Sequence, residues 1–466
     1  MTPNQYTPEE PISSIATALA PAALGIVRVS GKGCIELVSK VFSRPKALLE
    51  AAGNTLVYGW VVAPGGAKID EVMLAVYRAP KSFTGEDMVE IFCHGGPAVV
   101  MAVQNLMLKS GFRQANRGEY TFRAFINGKT DLTRAEAVKE IIDSHTDVSR
   151  SHAAGRLAGS LFEEIDSIKK LIVDTLAAIE VEIEYPEDEE TIADSFDRAD
   201  IEEAASRLNA LAESWRGEKL YQDGARVVLA GRTNAGKSSL FNAILKEERA
   251  IVSDIEGTTR DWLESWASIN GIPVRLFDTA GLRETSDVIE AQGVEISRNL
   301  VHDADVVLYL VDATQGLNDE DREFIKNCTV PLIVVETKID KVDCHVAPLL
   351  AMTQDLGEAI HIPISSHTGE GMADLFTQIT RILTAGIAGL STERTQAGLG
   401  SARQKEAVSA ALESVRHALI SADDNYTLDA VVQDLEDALD SLGEVTGDVT
   451  PDDVLGSIFA NFCVGK

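Results

Sequence analysis

The eight residues GRTNAGKS, at positions 231–238, form a complete phosphate-binding loop. They lie between the apolar run 226–230 and a helical pattern that begins at Ser239. A strand, a glycine-rich loop and a helix in this order point backbone N–H groups and the positive end of a helix dipole at one concavity, which binds phosphate. The stretch therefore predicts an α/β nucleotide-binding domain, and a chance match to the motif is the alternative.

Several side chains are expected to contact the phosphates and Mg²⁺. Lys237 would reach the β- and γ-phosphates, and Ser238 would place its hydroxyl on Mg²⁺. Asp278 follows the apolar run 274–277 and is the expected carboxylate on the Mg²⁺ side. Gly281 would let its backbone N–H approach the γ-phosphate. The nucleotide contacts predicted in these two segments are Asn234, Ala235, Gly236, Lys237, Ser238, Ser239, Asp278, Thr279, Ala280 and Gly281.

Residues after two later strand-like runs predict selection of guanine. Asp340 can accept hydrogen bonds from the N1–H and the exocyclic amine of guanine, a pair of donors that adenine lacks. Lys338 would lie along the base, and Ser365 and Ser366 would close the base site. Thr337 stands where the usual guanine signature has asparagine, so a lower affinity for guanine is expected. Each segment could instead be a simple turn, but four such turns in the right order favour a GTPase.

The attacking water needs a group other than the usual glutamine to orient it. Leu282 occupies the position at which small GTPases have a water-orienting glutamine, and it cannot form a hydrogen bond. Acidic residues in 283–290 are candidates to replace it. The loop 253–261 is the expected other switch, with Thr259 as a second hydroxyl ligand of Mg²⁺. A monovalent cation held by Asn234 and backbone oxygens of that loop could replace an arginine finger. The nucleotide contacts predicted in the loop are Ser253, Asp254, Ile255, Glu256, Gly257, Thr258 and Thr259.

Further motifs are distributed over the whole chain. They are FTGED at 83–87, HGGP at 94–97, GEYTFRAFINGK at 118–129, EGTTRD at 256–261, DTAGLR at 278–283 and FCVGK at 462–466. Together with the phosphate loop, these motifs resemble the MnmE (TrmE) family of tRNA uridine-modification GTPases. The FTGED and FCVGK motifs are more specific to that family than the phosphate loop is.

The resemblance implies an activity, cofactors and partners. A K⁺-dependent GTPase would add an aminomethyl or carboxymethylaminomethyl group to C5 of the wobble uridine of certain tRNAs. It would do so as a homodimer in complex with an MnmG-type flavoprotein, forming a heterotetramer in the cytoplasm. The implied one-carbon donor is 5,10-methylene- or 5-formyl-tetrahydrofolate, and Mg²⁺ and K⁺ would assist GTP hydrolysis.

The resemblance also implies roles for single residues. Glu290 would orient the attacking water, and Cys463 would lie close to the one-carbon chemistry, although a small buried residue is the alternative for this cysteine. The implied K⁺ ligands are Asn234, Ser253, Ile255 and Thr258. The implied folate contacts are Arg28, Glu90, Lys129 and Lys466.

The order of the patterns predicts α/β and all-α domains, with a P-loop GTPase domain inserted in a helical bundle and preceded by an α+β domain. Short strand-like runs precede residue 128, and apolar residues recur every three or four positions from Leu157 to Ile183, which predicts one long helix. The predicted boundaries are an amino-terminal folate-binding and dimerisation domain at 1–128, helical parts at 129–221 and 385–466, and a GTPase domain at 222–384.

Composition limits the other classes of function. No apolar run approaches the roughly 18 residues needed to span a bilayer, so we expect no membrane role. The five cysteines are scattered, which argues against zinc and disulfides and fits the cytosol. The net charge of −31 is a poor fit to a protein that binds RNA alone, because phosphate attraction needs a basic surface. We therefore expect tRNA to bind through an assembled complex.

A second class of function remains open at this stage. The GTPase motifs alone would also fit a regulatory or assembly switch without RNA chemistry of its own. A switch needs no folate site, so Arg28, Glu90, Lys129 and the Cys463–Lys466 segment separate the two hypotheses.

Overall fold

The structure is a computed structural model that describes residues 10–184, 196–247, 263–278, 300–342, 359–387, 397–423 and 428–465. Its internal packing divides the chain into two compact units. The first unit contains 1–139, 156–208 and 402–466, and the second contains 140–155 and 209–401. The domain boundaries given above stay a prediction.

The first unit contains a six-stranded sheet with the strand order β3-β4-β5-β2-β1-β6. Its strands are β1 (Ile12–Ile15), β2 (Leu24–Ser30), β3 (Thr55–Val62), β4 (Lys68–Tyr77), β5 (Met88–His94) and β6 (Arg113–Gln114). All neighbours are antiparallel except β1 and β6. Burial alternates along β2 and β5, so that Val27, Val29, Val89 and Ile91 face the core while Arg28 and Glu90 lie on the less buried face. The predicted amino-terminal strands are confirmed.

Helices complete the first unit. Those next to the sheet are α1 (Cys34–Ser39), α2 (Pro45–Leu49), α3 (Pro97–Lys109) and α4 (Glu119–Ile126). The following helices are α5 (Leu132–Asp143), α6 (Asp147–Ala158), α7 (Ser160–Glu184) and α8 (Arg198–Asp223), of which residues 140–143, 147–155 and 209–223 belong to the second unit. The carboxyl-terminal ones are α12 (Ala402–Asp423), α13 (Leu428–Thr446) and α14 (Asp452–Ala460). The rings of Phe122 in α4 and Phe459 in α14 meet edge to face, with their centroids 5.3 Å apart. The carboxyl-terminal helix α14 therefore packs against α4.

The predicted single helix from Leu157 to Ile183 is wrong at its start. The structure separates α6 from α7 at Gly159, whose φ is +116°. An L side chain is strained at this φ, which favours glycine, and the guanidinium of Arg134 lies 2.2 Å from the place of a Cβ. Leu157 accordingly belongs to α6 and is exposed, whereas Ile165 and Ile172 of α7 are fully buried as predicted.

The second unit is a doubly wound α/β fold. Its sheet has the order β12-β11-β10-β7-β9-β8, and all strands are parallel except β8. The strands are β7 (Ala225–Gly231), β8 (Leu263–Ile269), β9 (Ile272–Asp278), β10 (Val306–Asp312), β11 (Leu332–Thr337) and β12 (Ile360–Pro363). The helices are α9 (Lys237–Glu247), α10 (Asp319–Asn327) and α11 (Met372–Leu383). Because ligands bind at the carboxyl ends of such strands, the loops after β7, β9, β10, β11 and β12 define the site.

Among the described residues, no helix is both long and apolar enough to cross a bilayer.

Candidate functional site

The phosphate loop, residues 231–238, connects β7 to α9 with backbone angles that favour its sequence. Gly231 and Gly236 have φ values of +131° and +96°, and Asn234 has +63°. A Cβ at Gly231 would lie 2.4 Å from the carbonyl oxygen of Leu310 on the neighbouring strand. The glycines and the asparagine are therefore required by the loop geometry itself.

Lys237 is held on the loop that it follows. Its Nζ donates to the carbonyl oxygens of Gly231 and Arg232, both at 2.8 Å, and the residue is 7% exposed. When a nucleotide binds, the ammonium of Lys237 can donate to phosphate oxygens in place of these two carbonyl oxygens.

Ser238 and Asp278 form the oxygen pair expected for Mg²⁺. The hydroxyl of Ser238, in the first turn of α9, donates to Oδ2 of Asp278 at 3.1 Å. Asp278 ends β9 and is buried. Carboxylate and hydroxyl oxygens are the ligands that Mg²⁺ prefers, so the two residues fit this metal. They would hold it against the phosphates.

Thr337 ties the base-binding segment to the phosphate loop. Its hydroxyl donates to the carbonyl oxygen of Ala235 at 2.7 Å, and the residue is buried at the end of β11. Lys338, with φ +61°, donates to the carbonyl of Asn234 at 2.7 Å and to Oδ2 of Asp312 at 2.6 Å. Although position 337 has a threonine and not the usual asparagine, its hydroxyl still joins the base-binding segment to the phosphate loop by a hydrogen bond.

Asp340 is oriented by the last base loop. The hydroxyl of Ser365, which is fully buried, donates to Oδ1 of Asp340 at 2.7 Å. This hydrogen bond lowers the pKa of Asp340, so the carboxylate is ionised and able to accept from guanine. The neighbouring Ser366 is half-buried in the same loop.

Asp312 is a functional residue that the sequence reasoning missed. Burial would raise its pKa, but hydrogen bonds from Lys338 and Thr314 outweigh burial and lower the pKa. The ionised carboxylate thus fixes Lys338 beside the phosphate loop. The signal that was available is an acid at the carboxyl end of a fully apolar strand, the same signal that identified Asp278.

The remaining nucleotide and K⁺ predictions lie outside the described residues. They are Ser253, Asp254, Ile255, Glu256, Gly257, Thr258, Thr259, Thr279, Ala280, Gly281 and Glu290.

A second cluster of polar groups lies on the amino-terminal sheet. Arg28 in β2 faces Glu90 in β5, and its Nε and Nη2 both donate to Oε1 of Glu90, at 2.9 and 2.7 Å. Its Nη1 donates to the carbonyl oxygen of Gly465 at 3.0 Å. The rings of Phe83 and Tyr120 lie 5.7 and 5.6 Å from the guanidinium carbon. We call these five residues the Arg28 cluster.

The other predicted folate residues have different surroundings. Nζ of Lys129 donates to the carbonyl oxygen of Pro80 at 3.1 Å, and no contact with the Arg28 cluster is found for it among the described atoms. Cys463 is exposed, so the alternative that it is a small buried residue is wrong. Its carbonyl accepts from the N–H of Gly118 at 3.4 Å, which holds the 462–465 segment near the GEYTFRAFINGK motif. Lys466 lies outside the described residues.

Buried charges explain why the FTGED and GEYTFRAFINGK motifs occur together. Arg123 is 0% exposed, and its guanidinium pairs with Glu86 at 3.0 Å and with Glu119 at 2.9 Å. Arg113 pairs with Glu119 as well. Because an unpaired buried charge is costly, these ion pairs require the two motifs to be adjacent. They hold the loop that carries Phe83.

Comparisons with known proteins agree with this arrangement. A family model described as "GTP-binding protein TrmE N-terminus" matches residues 11–129, and one described as "MnmE helical domain" matches residues 132–463. The tRNA modification GTPase MnmE of Treponema denticola is 51% identical over 471 residues, covering 99% of each chain. The protein of the same name from Carboxydothermus hydrogenoformans is 41% identical over 464 residues, covering 98% of this chain and 100% of its own.

Among solved structures, a point variant of Aquifex aeolicus Era bound to GDP.AlF4- covers 41% of this chain and 66% of its own at 27% identity. Its TM-score is 0.29, which is too low to say more about this fold.

Proposed function

The chain belongs to the MnmE family of tRNA modification GTPases, and from this premise we propose that its GTP cycle drives the modification of a wobble uridine. The protein hydrolyses GTP, with Mg²⁺ on the phosphates. In the proposed reaction, an MnmG-type flavoprotein and a homodimer of this chain add an aminomethyl or carboxymethylaminomethyl group to C5 of the uridine. A 5,10-methylene- or 5-formyl-tetrahydrofolate supplies the carbon.

The observation that carries the GTPase part is the hydrogen-bonded link between the base and phosphate segments. Asp340 selects guanine, and the neighbouring Thr337 and Lys338 bind the backbone of the phosphate loop directly. Lys237 neutralises phosphate charge, and Ser238 and Asp278 present oxygens to the metal. These residues position the nucleotide, which is most of what phosphoryl transfer requires of a protein.

For the attacking water, we propose that Glu290 orients it. K⁺, bound by Asn234 and by Ser253, Ile255 and Thr258, stabilises the transition-state charge. The support is the sequence: Leu282 cannot orient water, and the family motif supplies an acid eight residues later. Differential contact of GTP with the switch segments then favours pairing of two GTPase domains, and hydrolysis releases it.

The water and cation proposal is tested by hydrolysis rates in K⁺ and Na⁺ buffers of equal ionic strength. Glu290→Ala is expected to lose most hydrolysis with little loss of GTP binding, and the unchanged protein is expected to be faster in K⁺. Glu284→Ala is the matched control, since it removes an acid from the same segment. Equal rates in the two buffers would reject the cation, and normal turnover of Glu290→Ala would reject the acid.

For the folate, the Arg28 cluster supports the proposal. A carboxylate such as that of Glu90 can accept hydrogen bonds from the N–H groups of a pterin, and the exposed ring of Phe83 offers apolar surface to the pterin ring. Tyr77 adds a hydroxyl, which donates to Oε2 of Glu90 at 3.4 Å. Burial and the nearby Glu90 raise the pKa of Tyr77, so this hydroxyl stays a donor at neutral pH. Lys129, Lys466 and Cys463 complete the proposed site.

The proposed partners are consistent with the charge distribution. Residues 1–128 contain 12 Lys and Arg against 10 Asp and Glu, whereas the whole chain has a net charge of −31. Most of the chain would therefore repel tRNA, which favours tRNA binding through the flavoprotein complex. The proposed location is the cytoplasm, where tRNA is used.

The experiment that decides the function is mass spectrometry of wobble nucleosides from cells with and without this protein. Loss of a C5-modified uridine is the expected result. If the amount of C5-modified wobble uridine is the same with and without the protein, and calorimetry shows no binding of 5-formyl-tetrahydrofolate, the regulatory or assembly switch is favoured.

A further inference from the structure

Arg232, in the second position of the phosphate loop, points away from the expected phosphates and toward helix α10. Its Nη2 donates to the carbonyl oxygen of Gly316 at 2.6 Å, and its Nε lies 3.2 Å from Oδ2 of Asp321. Neither Arg232 nor Asp321 has a role in the nucleotide motifs described above. We propose that Arg232 and Asp321 are a positioning pair, which holds the phosphate loop in the shape that binds the β-phosphate.

The carboxylate of Asp321 is oriented by hydrogen bonds from residues other than Arg232. The residue is 0% exposed, and its Oδ1 accepts from the hydroxyl of Tyr309 at 2.7 Å. Its Oδ2 accepts from the backbone N–H of Asn318 at 2.9 Å, and the Asn318 side chain caps the N–H of Asp321 in return. Every bond to this carboxylate fixes its direction, so it presents a rigid anchor to Arg232.

The segment 312–321 contacts the phosphate loop through both of its ends. Asp312 binds Lys338, and Lys338 binds the carbonyl of Asn234 in the phosphate loop. Arg232 binds Gly316 within the segment 312–321 and Asp321 at its far end. The loop is therefore held at its beginning by Arg232 and in its middle by Lys338. Loss of Arg232 would leave the start of the loop held by Lys237, which binds the carbonyls of Gly231 and Arg232, and therefore less firmly fixed.

A planar guanidinium is needed for this contact. Arg232 binds a carbonyl and a carboxylate through two different nitrogens, and the two acceptors belong to different turns of the chain. A lysine ammonium carries the same charge but is a single point, so it would bind one acceptor at a time. The side chain is 29% exposed, and its removal would leave little empty volume in a core.

The test compares ligands that differ only in phosphate. We would measure the affinities of GDP and guanosine for the full chain and for Arg232→Ala, Arg232→Lys and Asp321→Asn, by competition with a fluorescent GDP. Because the loop surrounds phosphate and not the base, Arg232→Ala should weaken GDP about tenfold and leave guanosine unchanged. Arg232→Lys should lose about threefold, since it keeps the charge. Arg322→Ala, in an exposed pair on the same helix, should change neither ligand.

A purely structural role predicts a different pattern. It would lower the midpoint of thermal unfolding while the ratio of guanosine to GDP affinity stayed at its original value. That result, or an equal loss for both ligands, would overturn the proposal. If Arg232→Ala does not fold, the same ratio measured on Arg232→Lys decides the question.

Discussion

The phosphate loop and the Arg28 cluster are built in opposite ways. The loop is one continuous stretch, and its lysine, serine and backbone amides lie within eight residues. The Arg28 cluster brings together residues 28, 83, 90, 120 and 465, which meet only after the sheet and the carboxyl-terminal helices have formed. The first site is therefore a local property of the chain, and the second is a property of the tertiary fold.

The two sites also differ in how their charges are satisfied. Lys237 binds backbone carbonyls, which a phosphate can replace without leaving a charge unpaired. Arg28 is instead paired with the carboxylate of Glu90, and a ligand that displaces either partner must compensate the other. We expect the first site to tolerate exchange of ligands readily and the second to select a ligand that carries both donors and acceptors.

The largest effect is expected at Lys237. Lys237→Ala removes the ammonium that neutralises the β- and γ-phosphates, and kcat/KM for GTP should fall about 1,000-fold. Binding of 5-formyl-tetrahydrofolate should be unchanged, which calorimetry on the same preparation can check. Lys246→Ala, at the exposed end of the same helix, is the control. A parallel loss of folate binding would show that the two sites are not independent.

A somewhat smaller effect is expected at Asp340. In Asp340→Asn the acceptor for the guanine N–H groups becomes partly a donor, so affinity for GDP should fall about 100-fold. Xanthosine diphosphate should gain affinity, because its extra carbonyl can accept from the new amide. Asp374→Asn, on an exposed helix surface, should leave both affinities unchanged. A variant that keeps its full preference for guanine would mean that another group reads the base.

The Arg28 cluster should show an intermediate effect. Arg28→Ala leaves Glu90 without its partner, and we expect about a tenfold loss in the affinity for 5-formyl-tetrahydrofolate. Arg28→Lys should restore only part of it, since the fork of two hydrogen bonds to Glu90 is lost. Lys46→Ala is an exposed control in the same unit. GTP hydrolysis that changes together with folate binding would contradict the separation of the two sites.

The smallest effect concerns stability in acid. The pKa of Asp312 is lowered in the folded chain, so its ion pair with Lys338 stabilises the fold above the ordinary aspartate pKa. That contribution is lost as the pH falls through the lowered value. Asp312→Asn should reduce the free energy of unfolding by about 1 kcal/mol at pH 7, and the difference should disappear as the pH falls through the lowered pKa of Asp312.

The measurement for this last variant is chemical denaturation followed over pH 2 to 7 (roughly the range in which carboxylates titrate). Asp319→Asn, which changes a fully exposed acid at the start of α10, is the control variant. A difference that stayed constant down to the lowest pH would mean that the Asp312–Lys338 pair does not carry the effect.

The phosphate loop was easier to predict from the sequence than contacts that form only in the tertiary fold, because its residues are continuous in the chain. GRTNAGKS could be recognised directly, and the partners Ser238 and Asp278 followed, since parallel strands end at one edge of a sheet. Asp312 ends a buried strand as Asp278 does, and that signal was available. The role of the Arg232 guanidinium could not be predicted, because its partners are the carbonyl of Gly316 and the distant Asp321. A carbonyl oxygen has no signature in a sequence.

The helical part shows the same limit. Apolar periodicity predicted α7 correctly but continued across Gly159, where the backbone turns. The glycine was visible, but a sequence does not show which glycines adopt a positive φ and end a helix. Family motifs suggested Arg28, Glu90 and Lys129 as folate contacts, but not the ion pair between Arg28 and Glu90 or the hydrogen bond from Lys129 to Pro80.

The hydrogen bond from Arg28 to the carbonyl of Gly465 joins residues that are 437 positions apart. During translation, the ribosome must therefore add nearly the whole chain before this part of the amino-terminal sheet acquires its last partner. The phosphate loop can be completed much earlier, once strand β12 has emerged from the exit tunnel. A nascent chain could thus hold guanine nucleotide while still unable to hold a ligand at Arg28, and premature termination would yield a nucleotide binder without the other site.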